Sequence, residues 1–281
     1  MGRKSRRKGQ RPPKPKTRIA TAQSAIPPNA ASLKPSHRRK LDWAQAHIHT
    51  AAALIDMWRR EGYRVFREPQ ASRAFTLYAE MLKPLPEALP LVVGDALHDL
   101  RDSLDHIIFA ISQKNPAMVT PKDEESPQFP VHDVVVDIQG ERGIKFLNWQ
   151  ASAEVCDLAP DPLRQPNLQH SIWLLDALNN RDKHREVAFK PLARPNISSL
   201  GIGNAQIDSL EIFGDKTLEL GAKPVALLVF RGSLLQAQMT HSVSVIFDKG
   251  VEVADREVIS TLQSFHDHIR DVVFQRLEPF L

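Results

Sequence analysis

From Leu41 onward apolar side chains recur at helical spacing: Trp43, Ala46, Ile48, Ala51, Leu54, Ile55 and Trp58 fall along one stripe that ends at Gly62. Steps of three and four residues share a helix face, so the pattern predicts a first helix. Two β-leaning stretches follow, "YRVF" and "RAFTLYAEML", and then a Pro-rich joint, "KPLPEALP". A second helix is predicted from about Leu91 to Ser112, with Val93, Leu97, Leu100, Leu104, Ile107, Ile108 and Ile111 turned to the core. Residues 114–165 hold many prolines and no sustained period, which reads as an extended excursion. A third helix is predicted from Leu168 to Asn179, with Ile172, Leu175 and Leu178 inward and Asn as its C-terminal cap. Short β-rich runs then alternate with Gly, Asp, Lys and Pro: "VAFKPL", "IDSLEIFG", "TLELG", "VALLVF" and "SVSVIF". They predict an antiparallel sheet. A last helix from Asp255 to Leu277 places Ile259, Leu262, Phe265, Ile269, Val272 and Phe274 on one stripe, and the fold class is α+β.

Four segments result: a tail over 1–40, a helical region over 41–185, a β region over 186–254 and a closing helix over 255–281. Residues 1–40 hold 13 of the 37 Lys and Arg, including Arg3, Lys4, Arg6, Arg7 and Lys8, and no acidic residue. Basic, Pro-rich and poor in large apolar groups, the tail is expected to be disordered and to dock on nucleic-acid phosphate. The remaining 24 basic against 33 acidic residues make the rest of the chain acidic, so the overall +4 says nothing of its other surfaces. One cysteine, Cys156, excludes an intrachain disulfide and a Cys-rich metal site. The basic start is followed by no apolar signal-peptide core, and no run long enough to span a bilayer occurs. A cytoplasmic protein with no membrane association is expected.

The second helix carries the densest chemistry. In "HDLRDSLDH", His98, Arg101, Asp102, Asp105 and His106 all lie opposite the apolar stripe. The plain alternative is a solvated face with i,i+4 ion pairs worth a few tenths of a kcal/mol each, so ~0.3 kcal/mol per pair. "RDSLDH" resembles the HEPN superfamily, whose helical domains carry Arg, a polar residue and, a few positions on, His. The resemblance implies a metal-independent ribonuclease with a composite site across a homodimer. Arg101 would stabilise the phosphorane, His106 would move protons, and no cofactor would be needed. Asp102 departs from the Asn or His that those domains more often carry after the arginine. His98, Asp102 and Asp105 would support the pair, with Asp182 and His184 from the block "LNNRDKHR". That block and "GDALHDLRDSLDHIIFAI" together also resemble a family of uncharacterised bacterial proteins, which implies that the two blocks form one site.

Two other readings stand beside the ribonuclease. The polar face is a buried network that fixes packing in a non-catalytic interaction module. Alternatively, His98, Asp102 and His106, spaced i, i+4, i+8, hold Zn or Mn with Asp182 or His184 in a metal-dependent hydrolase. Of the other histidines, His266 and His268 are expected on the exposed side of the last helix.

Overall fold

A computed structural model of the chain describes residues 34–70, 74–131, 142–160, 170–184, 187–201, 207–232 and 236–281. The chain divides into two units, residues 1–34 and 35–281, and every described helix and strand belongs to the second. The tail expected to be disordered lies outside the described residues up to residue 33.

Helix α1 (Ser36–Glu61) buries Leu41, Ala44, Ile48, Ala51, Ile55 and Trp58. It begins inside the expected tail, because His37 is fully buried, in edge-on contact with the Phe274 ring and 3.1 Å from Glu278. Trp43, expected on the apolar stripe, is 60% exposed, since Leu41 and Ala44 flank the true seam. The hairpin β1 (Tyr63–Gln70) and β2 (Ala74–Met81) follows. Helix α2 (Ala88–Ser112) then runs antiparallel to α1: Trp58 near the end of α1 donates to the Lys83 carbonyl ahead of α2, and Lys40 near its start reaches Asp99. All seven apolar residues expected to face the core from α2 are buried. Pro90 sits in the first turn, where a helix does not need its missing N–H.

The excursion contains more helix than its irregular pattern suggests. A four-residue turn, α3 (Pro121–Glu124), is closed by a capping box between Thr120 and Asp123. Helix α4 (Trp149–Leu158) has Asn148 as its N-cap and buries Ala151, Val155 and Leu158. Helix α5 (Ser171–Asp182) buries Ile172, Leu175 and Leu178 as expected, but its C-cap is Lys183 and not an Asn. Strands β3 (Phe189–Gly201), β4 (Ile207–Ile212), β5 (Lys216–Thr217), β6 (Val225–Gly232) and β7 (Gln236–Phe247) complete two antiparallel sheets, ordered β1-β2-β6-β4 and β5-β3-β7. The first sheet therefore draws strands from both the helical and the β regions of the sequence, and the molecule is α+β.

The closing helix is interrupted. Helix α6 (Val258–His268) passes through a π-helical turn at Ile269–Val273 into α7 (Phe274–Leu277). The wider turn shifts the stripe, so Val273 is buried and the expected Val272 is 37% exposed. Helix α5 packs on α2 and α6, and α6 packs on α1 and α2, which leaves the polar side of α2 bordered by α5 and by the segment 126–131. No helix among the described residues is long and apolar enough to cross a membrane.

Candidate functional site

Arg101 is 12% exposed at its side chain, and each of its three guanidinium nitrogens donates a hydrogen bond. Nε donates to Asp176 Oδ1 at 2.7 Å, Nη1 to Asp105 Oδ1 at 2.5 Å and Nη2 to the Phe129 carbonyl at 3.0 Å. The Phe129 amide donates back to Asp105 Oδ1 at 2.9 Å, and Asn180 Nδ2 donates to Asp176 Oδ2 at 2.8 Å. One guanidinium thereby joins α2, α5 and the segment before Pro130. Its planar fork suits this role, because five fixed donors can serve several acceptors at once. Burial alone would lower the Arg101 pKa, but Asp105 and Asp176 outweigh it and hold it raised. Burial likewise pushes the Asp105 carboxyl above the usual range, against the opposing pull of Arg101 and the Phe129 amide.

The other polar residues of α2 turn elsewhere. Asp102 meets Lys40 of α1 at 2.9 Å and His98 at 3.4 Å, and Lys40 also holds Asp99 at 2.8 Å. His47 lies 3.5 Å from Asp99 on the same flank. His106, half-buried, is near enough to His37 at the start of α1 to interact with it electrostatically, and it is not among the residues that line the pocket at Arg101. Steps of 100° put the two about 140° apart, and the neighbouring elements keep them apart. Within one chain Arg101 and His106 do not share a site.

The second block meets the first in part. Asn179, Asn180 and Lys183 line a polar pocket of about 330 Å³ with Arg101, Asp102, Asp105 and Asp176. Asp182 packs on α2 at Gly94, where a Cβ would overlap its carboxylate, so glycine is what lets α5 approach this closely. His184 is exposed in the turn after α5. Among the described residues no three His, Cys, Asp or Glu side chains are arranged to hold a metal ion, and the set His98, Asp102, His106 is not one.

Asp176 and Phe129 do not stand out in the sequence. The one signal for Asp176 is a lone acid in the apolar run "IWLLDAL", and Phe129 carries none, because its backbone makes the contacts. The histidines of the last helix also depart from expectation. His266 is 5% exposed, and His268 meets His170 edge to face at 5.7 Å. His170 is the N-cap of α5, its Nδ1 accepting from the Ile172 amide at 3.3 Å.

Three histidines, the buried His37 and the half-buried His170 and His268, give a pH dependence. Burial lowers the pKa of His37, with Glu278 opposing; it lowers His170, helped by His268; and it lowers His268. A depressed folded pKa means that the unfolded chain takes up protons first. The stability is therefore intact above the ordinary value of about 6.5 and is lost as pH falls through the folded values. Urea midpoints at pH 7.5 and 5.5 are expected to show a lower midpoint at pH 5.5. Equal midpoints would mean that the three imidazoles are not held neutral.

Comparison with known proteins finds no matching family model, no matching curated protein and no matching solved structure.

Proposed function

We propose that the chain is a non-catalytic binding module in which the polar face of α2 is a packing network that shapes a polar pocket. The observation that carries this reading is that each guanidinium nitrogen of Arg101 donates to a protein acceptor, two carboxylates and a carbonyl. A phosphorane-stabilising arginine needs its fork directed at the substrate, and Asp102, Asp105 and Asp176 around this one repel phosphate. His106 lies about 140° round the helix from that arginine and does not line the pocket, which points the same way.

The rival is the HEPN-type ribonuclease, with RNA as substrate and a site composed across two copies. Incubating a mixed RNA pool with the purified protein in EDTA separates the two. No cleavage is expected from the wild type or from His106→Ala. Cleavage by the wild type that His106→Ala abolishes, with the variant's melting temperature unchanged, would restore the composite ribonuclease.

A further inference from the structure

We propose that the pocket beside Arg101 recognises a small neutral molecule that offers an N–H donor and a carbonyl side by side on one edge, a lactam or carboxamide, read by the side chain of Asn179. The proposal rests on the reading of the chain as a binding module and names what the module takes.

Asn179 is the observation that does not fit a purely structural network. It lines the pocket and is 2% exposed, yet its Nδ2 is buried without a hydrogen-bond partner among the described residues. Its neighbour Asn180 is paired with Asp176; Arg181 Nε is likewise buried without a partner but does not line the pocket, so Asn179 is the one buried unpartnered donor among the described residues that line it. A buried carboxamide with an empty donor carries a desolvation cost that native structures rarely leave unmet. Since Nδ2 holds no partner, turning the amide toward the pocket breaks no bond of that nitrogen.

The chemistry of a carboxamide fixes what would meet it. It carries an acceptor oxygen and a donor nitrogen on one edge, and its full complement is a ligand edge with donor and acceptor in the opposite order. Amide side chains use this two-point match to read planar edges elsewhere, as Asn does on adenine. The rest of the pocket agrees, because the carboxylates of Asp105 and Asp176 along its wall repel anions. At about 330 Å³ the space suits a small polar molecule and not a polymer. Counting full charges, Arg101 and Lys183 stand against Asp102, Asp105 and Asp176, a balance that disfavours free phosphate.

Calorimetric titration of the full chain with uridine, guanosine and nicotinamide, and with inorganic phosphate as the anion, tests this. At least one of the three lactam or carboxamide probes is expected to bind one to one, while phosphate does not. Asn179→Asp keeps the size and one acceptor but removes the donor, and should weaken that probe at least tenfold; Asn179→Leu should do the same. If Asn179→Leu does not fold, the Asp variant carries the test. Failure of all three probes, phosphate binding alone, or a probe affinity unchanged by Asn179→Asp would each overturn the proposal. The RNA incubation on the same preparation locates a failure: absent probe binding without cleavage removes the ligand class alone, whereas EDTA-resistant cleavage removes the module reading and this proposal with it.

Discussion

Arg101→Met is expected to destabilise the protein by about 3–5 kcal/mol, the loss found when one partner of a buried ion network is deleted. The cost comes less from the lost bonds than from what stays behind. Asp105 and Asp176 would face each other's charge across a space that held the guanidinium, and the Phe129 carbonyl would lose its donor. Methionine fills a similar length, so the change removes charge without opening a large cavity. For chains of this size each kcal/mol is roughly 2–4 °C, so the melting temperature should fall by about 10 °C. A surface ion pair would behave differently: Lys83 and Glu61 are both well exposed, and breaking that pair should leave the melting temperature nearly unchanged. A fall of only about 1–2 °C for Arg101→Met, measured by calorimetry, would show that the network is solvated in the same way.

Phe129→Ala should be comparably severe, costing about 3–5 kcal/mol. The ring is 1% exposed and belongs to the main core, while the backbone of the same residue accepts from Arg101 and donates to Asp105. The ring thus anchors the backbone that completes the polar network. Phe129→Leu keeps most of the apolar volume and should cost less, near ~1.5 kcal/mol. Urea denaturation of both variants checks the order. If Phe129→Leu is as damaging as Phe129→Ala, the ring's shape matters and its volume alone does not.

The apolar stripe of α2 was legible because a 25-residue helix repeats its period several times, and every expected core residue is buried. Helix α4 was not, because ten residues give only Ala151, Val155 and Leu158 as signal, and the proline-rich surroundings hide it. The seam of α1 departs from the sequence pattern at Trp43, since size and hydrophobicity do not say which side of a helix a neighbour will cover. The π-helical turn at Ile269–Val273 cannot be seen in a pattern that assumes 3.6 residues per turn. At the site, Arg101, Asp102 and Asp105 are visible in sequence because they crowd one helix. Neither Asp176, 75 positions away, nor the Phe129 backbone, 28 away, is visible, because pairing across such separations is decided by packing. Of the two residues expected from the second block, Asp182 meets α2 at Gly94 and His184 is exposed in the turn after α5, while Asn179, Asn180 and Lys183, not singled out in sequence, line the pocket.

The bond from Arg101 to Asp176 is what assigns the arginine to packing. A double-mutant cycle on Arg101→Met and Asp176→Leu, read by urea denaturation, measures that link directly. A coupling of about 1.5–3 kcal/mol is expected, with the double variant more stable than the sum of the single losses implies, because Asp176 is no longer left without its partner and only Asp105 keeps an unpaired charge. Losses that add to within about 0.5 kcal/mol would contradict the packing role and return Arg101 to the set of residues free to act on a substrate.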